Sequence, residues 1–203
     1  MCSWIASRER GVLPPGERPA AVLLPLIRRP SGYEVVFTER SQNLMLHRGE
    51  VCFPGGRVQA HDRDLTDTVL REVEEELGVP PEKITLWGAL DDCTTLQGIR
   101  MTPFVGQISD VVEYRPNPEE VAAVFTERLA NFLPRRAARR EDWVDWEGNS
   151  RAVVFYDRPP YTIWGATARI LYTWLSALEK DPVAGRELLE ILMGCREDSL
   201  DDV

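Results

Sequence analysis

Short apolar runs and helically spaced apolar positions together outline this chain. Apolar runs bounded by turn-forming residues predict strands, and apolar residues recurring every three or four positions predict helices. The predicted strands span residues 20–27, 33–38, 51–53, 84–90, 102–108, 119–125 and 151–156. The predicted helices span residues 66–77, 162–178 and 181–194. Because strands and helices do not alternate regularly, the pattern predicts an α/β or α+β fold with a mixed β-sheet.

The length and composition predict one main domain with additions at both ends. A chain of 203 residues that is 43% hydrophobic can bury a sizeable core. We expect a leader at residues 1–18, the main domain at 19–180, and a helix with an acidic tail at 181–203. Residues 134–150 change from basic to acidic and predict an insertion within the domain. Whether this insertion covers a functional site is open at the level of sequence.

The charge and the cysteine content narrow the class of protein. The net charge of -9 and the pI near 4.9 argue against binding to nucleic acid. The four cysteines are scattered without a C-x-x-C pair, which is typical of reduced thiols in a cytoplasm. The N-terminus lacks a signal-peptide pattern, and the longest apolar run, Ala20 to Ile27, is too short to cross a bilayer. We therefore expect a cytoplasmic protein that binds neither nucleic acid nor membrane.

The helix predicted at residues 66–77 gathers carboxylates on one side. Glu72 and Glu76 are four residues apart and lie on nearly the same line, while Glu75 follows Glu72 by three residues and flanks it. Like charges at this spacing repel one another, and a bound cation reverses the sign of that interaction. Hard oxygen ligands of this kind suit Mg²⁺ or Mn²⁺. Arg71, four residues before Glu75, could orient it through a charge-assisted pair.

A glycine loop precedes this helix. Gly55 and Gly56 lack side chains, so their backbone can approach a metal ion or a diphosphate closely. At the other end, Gly78 follows the last apolar residue of the helix and predicts a C-cap. Loop and helix together suit the holding of a divalent metal against a diphosphate.

The second half of this unit, R-E-x-x-E-E-x-G from Arg71 to Gly78, resembles the Nudix box. Nudix hydrolases cleave nucleoside diphosphates linked to another moiety. The resemblance implies a metal-dependent pyrophosphohydrolase with a mixed β-sheet sandwiched between α-helices. The chain departs from the standard box by one inserted residue and by Asp62 where glutamate is usual. We expect Asp62 to organise the loop rather than to bind the metal directly.

Segments outside the box resemble the coenzyme A pyrophosphatase branch of the family. The upstream motif of that branch, roughly L-L-T-x-R-S…R…G…F-P-G-G, is matched at Thr38, Arg40, Ser41, Gly49, Phe53, Pro54, Gly55 and Gly56. Downstream, residues 90–103, 120–125 and 163–168 resemble further segments of the branch. Met45 replaces the internal arginine of the motif, and Ile99 stands where an aromatic residue is usual. The longer box that contains aspartate is common in this branch.

The resemblance to this branch implies a reaction and a metal site. The substrate would be coenzyme A or one of its thioesters. The products would be 4′-phosphopantetheine, or its acyl form, and adenosine 3′,5′-bisphosphate. Glu72 and Glu76 would hold Mg²⁺ or Mn²⁺, with help from Glu75 and from a backbone carbonyl of Gly55 or Gly56.

The resemblance also implies candidates for the catalytic and substrate-binding residues. Glu75 is the first candidate for the general base, and Glu120 is the second, because Nudix enzymes differ in which glutamate they use. Arg40 would contact phosphate, and Arg100 is the second candidate for such a contact. Gly98 lies in the loop that resembles a substrate-binding segment of the branch.

Several alternatives stay open at the level of sequence. Met45 and Ile99 leave room for another diphosphate substrate, such as ADP-ribose, NADH or a dinucleotide. A more distant alternative is a non-catalytic Nudix domain that senses a nucleotide, although the three box glutamates that such a domain is expected to lose are present. The tryptophan-rich region 143–178 could supply a homodimer face. The sequence does not choose between free, acylated and oxidised coenzyme A.

Overall fold

A mixed sheet of eight strands forms the centre of the fold in the computed structural model, which describes residues 4–5, 9–14, 19–95, 98–133, 137–144, 148 and 150–195. Its strands are β1 (Ala20–Arg29), β2 (Gly32–Arg40), β3 (Val51–Cys52), β4 (Gly55–Arg57), β5 (Ile84–Ala89), β6 (Cys93–Thr94), β7 (Arg100–Ile108) and β8 (Val121–Arg128). The order is β3-β2-β1-β7-β5, with β4 on β1, β6 on β7 and β8 on β2. β1 and β7 are parallel and the other pairs are antiparallel, so the predicted mixed sheet is confirmed.

A smaller sheet and three helices make up most of the remaining described chain. The smaller sheet has the order β11-β10-β9, with β9 at Arg139–Val144, β10 at Ser150–Arg158 and β11 at Tyr161–Trp164. The helices are α1 (Leu65–Leu77), α2 (Gly165–Lys180) and α3 (Ala184–Leu192). In the part of the chain that the structure describes, none of the helices is long and apolar enough to cross a membrane.

Strand β1 separates two apolar cores because alternate residues of a strand point to opposite faces. Leu24 lies in a buried cluster with Leu171 and Trp174 of α2, and this cluster also includes residues of α3. Leu23 lies in the other cluster with Val73 of α1. The sheet is therefore sandwiched between α1 on one face and α2 with α3 on the other, as the sequence predicted.

Helix α1 begins and ends where its sequence provides caps. The Asp64 carboxylate accepts hydrogen bonds from the backbone N–H groups of Thr66 at 2.8 Å and Asp67 at 2.9 Å. Gly78 adopts the left-handed conformation with φ of 66° and donates its N–H to the Glu74 carbonyl. The apolar stripe predicted for this helix is buried at Val69, Val73 and Leu77. The caps set where the helix begins and ends. The buried stripe sets which face of the helix is left to carry the glutamates.

The structure corrects the predicted elements in the C-terminal half of the chain. Residues 162–164, predicted as the start of a helix, belong to β11, and α2 begins at Gly165. The predicted insertion contains β9, although every residue of that strand is exposed. The strand predicted at 119–125 runs from Val121 to Arg128. These strands are defined by hydrogen bonds to partner strands, which the periodicity within each segment does not reveal.

The first described residues pack onto the domain. Trp4 and Ile5 are 8% and 4% exposed and belong to the larger apolar cluster. The Trp4 indole Nε1 donates a hydrogen bond to Asp181 at 2.8 Å. The rest of the predicted leader, at residues 1–3, 6–8 and 15–18, lies outside the described residues, as does the acidic tail at 196–203.

Residues 9–14, which we call the strap, are hydrogen-bonded to the loop after β5. The Gly11 N–H donates to the Asp91 carboxylate at 2.7 Å, and the Leu13 N–H donates to the Asp92 carboxylate at 3.1 Å. The Asp92 N–H donates back to the Gly11 carbonyl at 2.9 Å. This reciprocal pairing fixes the strap against the domain.

Candidate active site

The two glycines of β4 are required by close backbone packing. Gly55 pairs with Val22 of β1 and has φ of 147°, a conformation that residues with a side chain rarely adopt. A Cβ on Gly55 would lie 2.3 Å from the Ala21 carbonyl oxygen. A Cβ on Gly56 would lie 2.5 Å from the Glu72 carboxylate. The glycine loop therefore brings the backbone directly against the acidic helix.

Glu76 is a buried carboxylate facing this loop. It is 4% exposed, and its Oε2 accepts a hydrogen bond from the Gly55 N–H at 3.2 Å. Burial raises the pKa of Glu76 to about 8, the Gly55 N–H opposes that shift, and the Glu72 charge adds to it. Burial also raises the pKa of Glu72, against the effect of Arg71. Buried carboxylates of this kind are stabilised by a cation.

Arg71 holds the acidic residues of the loop and helix in place. Its guanidinium makes a two-point pair with Asp62, with Nε to Oδ1 at 2.9 Å and Nη2 to Oδ2 at 3.0 Å. Its Nη1 donates to Glu72 at 2.8 Å and to Glu75 at 2.9 Å. The Arg71 hydrogen bonds hold the pKa of the Asp62 carboxyl well below its usual range. Asp62 also accepts from Gln59 N–H at 2.8 Å, so it ties the loop to the helix.

The two candidate bases lie in different surroundings. The Glu75 side chain is 51% exposed and is bound to Arg71. Glu120 precedes β8, and its charge raises the pKa of both Glu72 and Glu76. The tertiary structure thus brings Glu120 to the acidic cluster across a separation of more than forty residues in sequence.

The acidic cluster fits a divalent cation in its chemistry. Glu72 and Glu76 offer hard oxygen donors, and the absence of a side chain at Gly56 leaves the space beside Glu72 that a Cβ would fill. Among the described residues, however, no three His, Cys, Asp or Glu side chains are already arranged as a metal site. The hydrogen bonds from Arg71 to Glu72 and Glu75 occupy oxygens that a metal would also use.

A cavity of about 370 Å³ adjoins the glycine loop. Its walls come from β2, β3, β4 and β10 and from the N-terminal part of α2. Among the described residues, its lining includes one acidic side chain, Glu50, and four arginines, which are Arg40, Arg57, Arg151 and Arg169. In a chain with a net charge of -9, this lining provides a local attraction for an anionic ligand.

Two of these arginines are fixed by the fold. Arg40 ends β2 at an irregularity in its pairing with β8, and its Nε is buried without a hydrogen-bond partner among the described residues. Its charge lowers the pKa of Glu76. Arg169 of α2 donates through Nη2 to the Thr94 carbonyl at 2.6 Å. The Arg169 guanidinium is therefore held at the cavity wall by a hydrogen bond, whereas Arg40 lines the wall with a buried Nε–H that no described residue accepts.

Two predicted substrate contacts lie outside the lining of this cavity. Arg100 donates through Nη1 to the Leu13 carbonyl of the strap at 3.2 Å. A Cβ on Gly98 would meet none of the described residues within 4 Å, and Gly98 is exposed. Their neighbour Ile99 does line the cavity. In this structure the loop approaches the cavity through Ile99.

Sequence reasoning missed three arginines that line the cavity. Arg57 directly follows the glycine pair, so its position in the motif could have indicated it. Arg169 lies on the N-terminal turns of α2, four residues after Gly165, and could have been found from the helical face that it shares. Arg151 lies near the start of β10 and carries no local signal, because its place depends on the smaller sheet.

Comparisons with known proteins identify the family to which this chain belongs. A family model described as the NUDIX domain matches residues 17–147. Curated relatives from Salmonella paratyphi B and Salmonella newport, each named an uncharacterized Nudix hydrolase NudL, are 38% identical over 155 residues, covering 76% of this chain and 80% of each relative. The crystal structure of a MutT/nudix family protein from Enterococcus faecalis shares the fold with a TM-score of 0.52 at 14% identity, covering 95% of this chain and 79% of that one.

The sandwiched mixed sheet and the acidic helix facing a glycine loop define a hydrolase of the diphosphate-cleaving class. The family-model match and the 38% identity show that the chain belongs to the Nudix family. It is a Nudix pyrophosphohydrolase, as the sequence predicted. Members of this family act on small nucleoside diphosphate compounds and generally use divalent metal ions such as Mg²⁺ or Mn²⁺.

Proposed function

We propose that this enzyme hydrolyses the diphosphate bond of coenzyme A or of its thioesters. The observation that carries the proposal is the position of residues 38–56, which resemble the motif of the coenzyme A branch. This segment contributes Arg40, Phe53 and both loop glycines to the lining of the arginine-rich cavity. The motif residues therefore surround the place where a diphosphate would lie. The products are 4′-phosphopantetheine, or its acyl form, and adenosine 3′,5′-bisphosphate.

In this proposal, Glu72 and Glu76 hold Mg²⁺ or Mn²⁺, with help from Glu75 and from a backbone carbonyl of Gly55 or Gly56. When bound, the ion neutralises diphosphate charge and lowers the pKa of a coordinated water. Its charge also offsets the burial of Glu76, whose raised pKa shows that the anionic form is disfavoured without a cation.

Arginines bind and orient the substrate in this proposal. Arg40 contacts a phosphate oxygen, because its guanidinium lies at the cavity wall near Glu76. Arg71 is a positioning residue that acts through Asp62, Glu72 and Glu75. Most of the rate enhancement then comes from charge stabilisation and from positioning.

We propose Glu120 ahead of Glu75 as the general base because of their different surroundings. Glu75 is tied to Arg71, whereas the Glu120 charge acts on both Glu72 and Glu76. We expect Glu120→Gln to lower kcat by roughly 10²- to 10⁴-fold, which is typical of losing a general base, and to remove the acidic limb of the pH–rate profile. Glu119→Gln, an exposed neighbour, is the control. A near-normal kcat in Glu120→Gln together with a large loss in Glu75→Gln would return the role to Glu75.

The substrate is tested by measuring Mg²⁺- and Mn²⁺-dependent cleavage of coenzyme A beside ADP-ribose, NADH and a diadenosine polyphosphate, with products identified by mass. We expect release of adenosine 3′,5′-bisphosphate with kcat/KM at least about tenfold above that for the other compounds. Higher kcat/KM for another diphosphate would overturn the coenzyme A proposal. It would also point to Ile99, at the cavity wall, as a residue of a changed pocket.

The cytoplasmic location and the homodimer stay predictions. Within the tryptophan-rich region, Trp174 is 1% exposed, while Trp143 on β9 is 41% exposed and Val144 is 69% exposed. The exposed pair on β9 is therefore the part of this region that supports a dimer face. A molecular mass measured by light scattering, with Trp143→Ser as the variant, tests it. A monomeric wild-type protein would remove the dimer from the proposal.

A further inference from the structure

A second cavity, of about 380 Å³, adjoins the first. Both are lined by Thr94, Arg151, Arg169 and Ile170, so the two cavities meet at the pair of arginines. The strap forms one wall of the second cavity through Leu13, and α2 forms the facing wall through Thr173, Trp174 and Ala177. A ligand anchored beside the glycine loop and reaching past Arg151 and Arg169 would enter this second cavity.

The two cavities differ in charge. The first is lined by four arginines and one glutamate. The second is lined by two aspartates, Asp91 and Asp92, which balance the two shared arginines. Its other lining is largely apolar and includes Leu13, Leu90, Pro103, Ile170, Trp174 and Ala177. Phosphate groups therefore favour the first cavity, and an uncharged part of the same ligand favours the second.

Cys93 adds an uncharged group to the second cavity. Burial raises the pKa of its thiol, so the thiol stays protonated at neutral pH despite the nearby Arg169. The Asp92 carboxylate is occupied by the Thr102 hydroxyl at 2.7 Å and by the Leu13 N–H at 3.1 Å. Its role is to fix the strap in place rather than to bind an additional cation.

About half of the residues that line the second cavity lie outside the part of the chain that matches the family model, and these include both of its facing walls. That match covers residues 17–147, whereas the strap is residues 9–14 and α2 is Gly165–Lys180. The glycine loop and the acidic helix lie inside it. Elements added to a shared catalytic unit are suited to choosing the substrate rather than to performing the reaction.

We propose that the second cavity binds the uncharged arm of the substrate, with the nucleotide and diphosphate held on the arginine side. This inference rests on the proposed function, under which the arm is pantetheine, a flexible chain with amide groups and methylene stretches. Apolar walls accommodate the methylene stretches, and Thr94 and Thr173 offer hydroxyl groups at the cavity wall. The strap and α2 thereby determine specificity for the group attached to the diphosphate.

The test reduces the volume of the second cavity by placing a larger side chain on each of its two facing walls in turn. Thr173→Phe enlarges an exposed residue of α2, and Leu13→Trp enlarges a residue of the strap. The matched control is Glu179→Phe, which places the same side chain at an exposed position of α2 outside the lining. Two substrates are compared: coenzyme A, and adenosine 3′-phosphate 5′-diphosphate, which carries the same nucleotide and diphosphate without the arm. Binding of pantetheine alone is measured by saturation-transfer NMR.

We expect both cavity variants to raise KM for coenzyme A about tenfold, with kcat/KM for the armless diphosphate changed less than about twofold. Pantetheine should bind wild type and Glu179→Phe and should not bind Thr173→Phe. Unchanged KM for coenzyme A and unchanged pantetheine binding in both variants would overturn the inference. If wild type does not cleave coenzyme A but Thr173→Phe still loses pantetheine binding, the proposed function fails while the arm site stands.

Discussion

At the scale of single residues, Glu76 combines an ionisable carboxylate with a nearly complete loss of solvent. Its environment raises its pKa to about 8, and the cause is mainly burial. As an anion, such a buried residue lowers the free energy of unfolding, and a bound cation offsets that loss of stability. Glutamine at this position keeps the shape and the acceptor for the Gly55 N–H but has no charge to offer a metal.

Glu76→Gln is therefore expected to abolish measurable turnover while the protein stays folded. The loss in kcat should be on the order of a thousandfold or more, because the missing charge acts on the transition state. Kinetics with Mg²⁺ and circular dichroism of the same samples check both parts. Glu74→Gln, an exposed glutamate of the same helix, is the matched control and should keep normal kcat. A near-normal kcat in Glu76→Gln would show that the metal site is elsewhere.

The same substitution is expected to change how stability depends on pH in metal-free protein. Below the ordinary glutamate pKa of about 4.5, Glu76 is protonated in both the folded and the unfolded state, so its titration does not change the free energy of unfolding. Between that value and about 8, the folded state binds a proton that the unfolded state has lost, so the free energy of unfolding falls as pH rises. Glu76→Gln should remove this loss, which is on the order of a few kcal/mol.

Urea unfolding in EDTA between pH 5 and about pH 8.5 measures this difference. Wild type and Glu76→Gln should have similar free energies of unfolding at the acidic end and should diverge toward the alkaline end. Added Mg²⁺ should bring wild type back toward the variant, because binding to the folded state alone stabilises it. Parallel pH curves for the two proteins in EDTA would contradict the raised pKa.

At the scale of elements, the glycine loop and α1 are one unit whose two glycines have different tasks. Gly55 avoids a clash with the backbone of β1, at 2.3 Å from the Ala21 oxygen, and has a positive φ. Gly56 avoids a clash with the Glu72 side chain at 2.5 Å and has an ordinary φ. The first contact is with rigid backbone, whereas the second is with a side chain that can move.

Alanine at each glycine should separate stability from activity. Gly55→Ala is expected to lower the free energy of unfolding by roughly 3 kcal/mol or more, because strain at positive φ adds to a backbone clash. Gly56→Ala is expected to leave stability within about 1 kcal/mol and to weaken Mg²⁺ dependence, because Glu72 must move. Gly98→Ala, where φ is 77° and a Cβ would meet none of the described residues within 4 Å, isolates the cost of positive φ. Equal losses of stability in Gly55→Ala and Gly56→Ala would contradict this assignment.

The elements also show where local pattern is informative. The sequence predicted residues 66–77 as a helix, and the structure places α1 at Leu65–Leu77, because caps and apolar spacing are local signals. β9 and β11 were not predicted. β9 consists of exposed and mostly charged residues, and it is a strand because β10 pairs with it. The local sequence of Thr162 to Trp164 fits either a strand or the start of a helix. Pairing with β10 makes this segment a strand.

At the scale of the whole molecule, the distribution of charge resolves an apparent conflict. A chain with a net charge of -9 repels an anionic substrate at long range. The fold offsets this by directing four arginines from β2, β4, β10 and α2 into one cavity. Salt screens long-range repulsion between exposed charges more than it screens contacts inside a cavity.

Arg57 provides the test of this arrangement, because it is exposed and lines the cavity beside the glycines. Arg57→Gln is expected to raise KM roughly threefold to tenfold with little change in kcat, since one partly solvated charge contributes roughly 1 kcal/mol. Arg186→Gln, an exposed arginine of α3, is the control and should keep normal KM. Equal KM values for the two variants would show that the cavity does not attract the substrate through its arginines.

The family, the helix with its caps and glutamates, and the glycine loop with Arg71 could be predicted from the chain's residues alone. The residues that carry these predictions lie between Gly55 and Gly78, within 24 residues of one another, and their structure depends on neighbours along the chain. The arginine cavity, the approach of Glu120 and the wall formed by the strap depend on the tertiary structure and could not be predicted from local pattern. The reason is that their partners come from distant segments, and only sheet pairing and core packing bring those segments together.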